Sequence, residues 1–259
     1  MKFLRSPVFL SAVGCLAAVA CTDLSGSSTS VLSIQFDSLA APSVVVGDTL
    51  RDTTGAVIFP VVHAFDFSGD EITSIPVRFQ SPDSGIVVDS ITGVVFGDSL
   101  RSAPARIVAT VGTLQAIQRV DVTLRPDLMV AVKGRDTLSY SLIDTTVNIS
   151  RSLTVKLTHG TAPDDSAVKS YIVSFAIVSQ TDPNLATLVN DAGKPSVVDT
   201  TDASGVAGRA IRLHPLFLTS GTTVDSIFVN ATAKFKGVPV SGSPVQLVLL
   251  LTPRSQTTP

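Results

Sequence analysis

The stretch DSIFVNATAKF, residues 225–235, decides the fold. Ile227, Val229, Ala231, Ala233 and Phe235 recur at every second position, with Ser226, Asn230, Thr232 and Lys234 between them. Successive side chains of a strand point to opposite faces, so this alternation predicts a half-buried β-strand. A helix of period 3.6 would scatter the same five residues around its circumference. Phe228 points opposite to Val229 and is expected on an outer surface. ARIVATVG (105–112) repeats the arrangement, with Ile107, Ala109 and Val111 on one face and Arg106, Val108 and Thr110 on the other.

Further strand candidates are VLSIQF (31–36), VIFPVVHAF (57–65), IPVRFQ (75–80), GVVF (93–96), AIQRVDVTL (116–124) and LMVAV (128–132). LTVKL (153–157), YIVSFAIV (171–178), AGRAIRL (207–213) and VQLVLLL (245–251) extend the series. Gly, Pro, Asp and Ser punctuate nearly every gap, as turns require. Composition agrees. Of 259 residues, 44% are hydrophobic and 15% charged, and Glu71 is the sole glutamate. Exposed helix faces favour Glu and Lys, whereas Val and Thr suit a pleated surface. An all-β protein is expected, large enough for two sandwiches of about 100 residues each.

The chain repeats itself in order. Residues 60–79 align with 154–175, 87–100 with 197–213, and 105–124 with 225–250, with longer loops in the second copy. The division falls near Arg125-Pro126, giving a first domain over 31–125, a second over 126–252, and a tail over 253–259. In the second copy, Val173-Ser174-Phe175, Thr201-Asp202-Ala203-Ser204-Gly205-Val206-Ala207 and Val229-Asn230-Ala231 resemble the pattern of bacterial Ig-like domains of the invasin/intimin group. In the first, SPDSGIVVDSITGVV (81–95) followed by Ala109-Thr110-Val111 resembles the other common bacterial Ig-like group, with Phe79 where that group carries Trp. The resemblance implies two tandem Ig-like β-sandwich domains and says little about function.

The first 20 residues read as an export signal. Lys2 and Arg5 precede an apolar run from Ser6 to Val19 that is too short for a lasting membrane span. Ala18-Val19-Ala20-Cys21 resembles a bacterial lipobox, which implies cleavage before Cys21 and a diacylglycerol on its thiol. Ala12-Val13-Gly14-Cys15 also fits, but leaves a shorter apolar run. An ordinary secretory signal is the competing reading. Thr22 in place of Asp implies, by resemblance to Gram-negative sorting, an outer-membrane destination, facing the periplasm or the outside. TDLSGSSTS (22–30) reads as a flexible tether, so that 21–30 links lipid to protein. With Cys15 removed and Cys21 acylated, no intramolecular disulfide can form. Loss of Lys2 and Arg5 takes the formal charge from −2 to −4. No basic patch recommends a nucleic-acid partner.

Chemistry is hard to find. VVDTTDASG (197–205) and APDDSA (162–167) hold the acid clusters, so Asp199, Asp202, Asp164 and Asp165 are the candidate calcium ligands. They lack the alternate-position spacing of a calcium loop, and Asp and Ser before Gly suit a tight turn. Residues 87–95 keep Asp89 and the turn glycine, Gly93, with no counterpart of Asp202. His63 and His159 occupy equivalent strand ends, a structural slot rather than a ligand set. With His214 they are the only histidines, and none pairs at metal-ligand spacing. No nucleophile elbow, phosphate loop or dinucleotide fingerprint occurs. The absence of Trp, with Tyr140 and Tyr171 the only tyrosines, weakens a sugar-stacking platform. Phe65, Phe67, Phe79, Phe175 and Phe235 are expected mostly in cores. Asn148 and Asn230 match a glycosylation sequon but are expected as strand residues.

A non-catalytic envelope lipoprotein follows, presenting Ig-like domains for adhesion, partner binding or spacing. It needs no cofactor beyond the acyl lipid, and its anchor makes the membrane one partner. The loops at 180–196 and 214–225 are insertions in the second copy and the expected partner surface, with Asp182, Asn184, Asn190, Lys194 and Phe217 as contact candidates. An accessory carbohydrate-binding module or a subunit of an envelope assembly is the alternative.

Overall fold

The computed structural model describes residues 30–179, 183–214, 216 and 226–254. Within them the chain forms 20 strands and one short 3₁₀ helix. The first half contains β1 (Ser33–Phe36), β2 (Ser43–Val45), β3 (Val62–Phe65), β4 (Arg78–Gln80), β5 (Ile86–Val88), β6 (Val95–Gly97), β7 (Ala105–Val111) and β8 (Leu114–Thr123). The second contains β9 (Leu128–Lys133), β10 (Arg135–Tyr140), β11 (Leu153–His159), β12 (Ser166–Ala167), β13 (Ile172–Ser179), β14 (Ala186–Val189) and β15 (Val198–Thr200). It continues with β16 (Val206–Leu213), β17 (Ser226–Thr232), β18 (Lys234–Phe235), β19 (Val238–Pro239) and β20 (Val245–Pro253).

Strand pairing shows the repeat directly. In the first half β1 pairs with β3, β2 runs parallel to β8, and the order β2-β8-β7-β4 completes one sheet. In the second, β9 pairs with β11, β10 runs parallel to β20, and the order β10-β20-β17-β13-β15 faces the sheet β12-β11-β16-β14. Each half therefore opens with a strand that pairs to one sheet, then crosses to lie parallel to the last strand of the other. These are two Ig-like sandwiches in tandem. The second copy adds the hairpin β18–β19, and its strand β15 joins β13, whereas β5 pairs with β6.

The period-2 reading of residues 226–232 is realised residue by residue: Ile227, Val229 and Ala231 are buried, and Ser226, Phe228, Asn230 and Thr232 are half-buried. Leu247, Leu249 and Leu251 of β20 face the same interior. Each sandwich has its own core, one built on Val44, Leu50, Ile107 and Val122, the other on Leu157, Ile211, Ile227 and Leu247. The two clusters share no buried residue, and the change of core falls between Val122 and Met129. β20 reaches Pro253, one residue past the expected boundary.

Four expectations need correction. The stretch 180–196 is no open loop. It contains β14, in which Ala186, Leu188 and Val189 are buried with Leu185 just before them; four residues are too few to show a period. Asn148 lies outside any strand, capping the 3₁₀ turn Thr145–Val147. It is fully buried, its Oδ1 accepting from Ser141 N–H (2.7 Å) and its Nδ2 donating to Ser141 C=O (2.8 Å). Phe67 is 64% exposed because it occupies a turn, whereas Phe79 and Phe175 are buried and Phe65 and Phe235 half-buried. Finally, Asp89 carries out the task of Asp202, as the turn geometry below shows.

Candidate functional site

Asp202, one of the acids that suggested a cation site, builds a turn. Asp202 Oδ1 accepts from the N–H of Ser204 (2.8 Å), the Ser204 hydroxyl (2.7 Å) and the N–H of Val206 (3.0 Å). The N–H of Gly205 returns to Asp202 C=O at 3.0 Å, and that of Asp202 reaches Val206 C=O at 2.9 Å. This is a three-residue turn closed by a left-handed glycine, here at φ +78°. Led by the Ser204 hydroxyl, these donors hold the Asp202 carboxyl below its usual range.

The same bonds recur at Asp52–Gly55–Ala56, Asp66–Gly69–Asp70 and Asn190–Gly193–Lys194. A spacing of Asp or Asn three residues before Gly was legible in the sequence as a repeated turn word. At 89–93 the word is one residue longer, with Asp89 Oδ1 accepting from Ile91 N–H (3.0 Å) and Thr92 N–H (2.7 Å). Gly93 then brings its α-carbon against Phe79, where a Cβ would meet the ring at 3.2 Å.

Asp199 is occupied too, accepting from Gly208 N–H (2.7 Å) and pairing with Arg209 Nη1 (2.8 Å). Asp164 and Asp165 are exposed in the connection between β11 and β12. Among the described residues, no three His, Cys, Asp or Glu side chains converge as a metal site.

Of the expected contact residues, Asp182 and Phe217 lie outside the described residues, as does Cys21. Asn184 and Lys194 are exposed, and Asn190 is committed to its turn.

The histidines sit in matching slots. His63 Nδ1 lies 2.6 Å from Glu71 Oε1, and its Nε2 lies 3.1 Å from Asp37 Oδ2. Hydrogen bonds first to Glu71 and then to Asp37 raise its pKa. His159 Nδ1 lies 2.6 Å from Asp127 Oδ2. Each ring ties its strand, β3 or β11, to a carboxylate beside the opening strand of that domain.

A concavity that the sequence did not announce lies at the junction of the two domains. Thr123 Oγ1 donates to Lys169 C=O (2.7 Å), Ser170 Oγ to Asp121 Oδ2 (2.8 Å), and Lys169 Nζ to Arg101 C=O (3.1 Å). Ser43 Oγ donates to Ser170 C=O at 2.5 Å. Ile172 of β13 reaches across to the core of the first domain.

On the other side of the cleft, the β18–β19 turn places Lys236 and Gly237 at φ +52° and +80°, the paired left-handed geometry of a two-residue hairpin. This turn lies against Gly55 so closely that a Cβ there would fall 2.2 Å from Gly237 N. Asp48, itself buried, holds Arg51 by two bonds of 3.0 and 3.1 Å and Lys236 Nζ at 3.4 Å. Burial alone would push the Asp48 carboxyl up, but the Arg51 and Thr49 hydrogen bonds and the two cations together take it below its usual value. Tyr171 donates to Lys234 C=O at 2.6 Å, and burial, then the Asp48 charge, drive its phenol pKa upward. Between these walls lies a cleft of about 250 Å³.

No family model matches the chain, and no curated protein matches it. Among solved structures it is similar to domains 4 and 5 of the S-layer protein SbsC, at 13% identity and a TM-score of 0.31 over 86% of this chain and 98% of that one. SbsC domains 5–6 match at 16% identity and a TM-score of 0.30, over 86% and 99%. Human protocadherin-24 EC1-2 matches at 13% identity and 0.28, over 87% and 100%. At these scores the likeness adds nothing to what strand pairing already establishes, two Ig-like β-sandwiches in tandem.

Proposed function

We propose that the chain is an exported, non-catalytic envelope lipoprotein that carries a diacylglycerol on Cys21 and presents two bacterial Ig-like domains, the second of invasin/intimin type, to a partner. The observation that carries this reading is Ala18-Val19-Ala20-Cys21 behind a positive and apolar leader, followed in sequence by TDLSGSSTS (22–30), rich in Ser, Thr and Gly. Supporting it, several acids are already engaged: Asp52, Asp66, Asp89 and Asp202 in turns, Asp48 and Asp199 in ion pairs. No helix among the described residues is long and apolar enough to cross a membrane. One acyl chain gives only marginal membrane binding, and the second chain of a diacylglycerol makes attachment lasting.

The test is expression of the full chain in a Gram-negative host beside Cys21→Ala. The parent should partition into detergent and its N-terminal peptide should gain an acyl-sized mass, with both lost in the variant. Two equally soluble proteins would make the chain a free secreted pair of domains.

A further inference from the structure

We infer that the cleft between the two domains binds a small carboxylate-bearing sugar, of the size and chemistry of one uronic acid residue. This does not depend on the lipid anchor, since the cleft is built wholly from described residues of the two sandwiches. Three observations converge on it.

The first is unspent positive charge. Lys236 divides its ammonium between Asp48 at 3.4 Å and the ring of Phe235, 5.3 Å away, which leaves donors over. Lys234, which also lines the cleft, forms no ion pair among the described residues. The acids nearby are already matched: Asp48 by Arg51 and Lys236, and Asp52 by the turn donors of Thr54 and Ala56. A carboxylate entering the cleft therefore meets ammonium groups without displacing a resident anion.

The second is a pair of open hydroxyls. Ser174 and Thr232 stand opposite each other on the β13–β17 ladder. Their neighbours Val173, Phe175, Ala231 and Ala233 are buried in the domain core, so alternation turns both hydroxyls outward into the cleft. Neither side chain makes a hydrogen bond among the described residues, and each can both donate and accept.

The third is size and apolar lining. About 250 Å³ holds roughly eight waters at ~30 Å³ each. That is somewhat below the range of about 300–1,000 Å³ typical of drug-sized ligands, and it favours a single ring. Pro42, Val45, Ile172 and Phe235 give that ring an apolar wall.

The protein supplies its own probe. It has no Trp and two Tyr, one of which, Tyr171, lines the cleft. The full exported chain is titrated with D-glucuronate and, separately, D-glucose, following tyrosine fluorescence and the amide resonances of Ser174 and Thr232. A saturable change with D-glucuronate that D-glucose does not reproduce is expected. Lys234→Gln should weaken it about tenfold or more, the cost of one charged hydrogen bond. Ser174→Ala should weaken it by less.

Lys234 has no ion pair to lose, so an unchanged melting temperature checks that the variant is folded. The inference is overturned by the absence of any saturable change, by an equal response to D-glucose, or by an unaltered D-glucuronate response in a folded Lys234→Gln. Failure of any of these leaves the Cys21 anchor untouched, because partition into detergent does not involve the cleft.

Discussion

Asp202 and Gly205 carry a division of labour that recurs along the chain. The carboxylate satisfies the N–H groups that a reversal of direction leaves unpaired, and the glycine supplies a φ that a side chain would resist. Asp202→Ala should cost about 1 kcal/mol, the worth of one such cap. Gly205→Ala should cost more, about 2 kcal/mol or above, because its Cβ would also fall 2.6 Å from Leu157 C=O. Denaturant midpoints of the two variants would rank them, and the reverse order would refute the assignment. His63 makes a pH-dependent contribution at the same scale. Its folded pKa is raised, so the clasp to Glu71 and Asp37 stabilises fully below the unfolded value of about 6.5 and is lost as pH rises through the folded pKa. The melting temperatures of wild type and His63→Gln should therefore differ below pH 6 and converge in mildly alkaline buffer.

At the scale of the element, β14 separates what pattern reading finds from what packing makes. Residues 186–189 sit between Asp, Asn and Pro, and in the linear chain they look like part of a long loop. In the structure they pair with residues 210–213 of β16 and bury Leu188 in the second core. Leu188→Ala should cost about 2–5 kcal/mol, as a buried leucine does and a loop residue does not. Slow amide exchange at 186–189 would mark the same strand, and rapid exchange there with a neutral Leu188→Ala would return the segment to the loops. By contrast β17, seven residues long, was legible throughout, because its alternation runs long enough to exclude a helix.

For the whole molecule, the contacts at the junction predict that the two sandwiches unfold together. Asp48 is buried between a residue of its own domain, Arg51, and a residue of the other, Lys236, and the turn bearing Lys236 rests on Gly55. Separating the domains would leave the Asp48 carboxylate without one of its two cations, which is costly for a buried charge. Gly55→Val places a side chain where Gly237 N now lies and should force the domains apart. Calorimetry should then resolve two transitions where the parent gives one, and a single transition in the variant would show that the junction does not couple the domains.

The sequence by itself determined the fold class and made the repeat visible, because period, turn residues and order of blocks are local or counted along the chain. The proposed export signal and its Cys21 likewise rest on neighbours in sequence alone. Only tertiary structure decided that β14 is core, that Asp199 answers Arg209, and that Lys236 reaches Asp48. Those outcomes depend on contacts between residues far apart in the chain. Lys236 and Asp48 meet because the two sandwiches abut there, and no periodicity within either half encodes that contact.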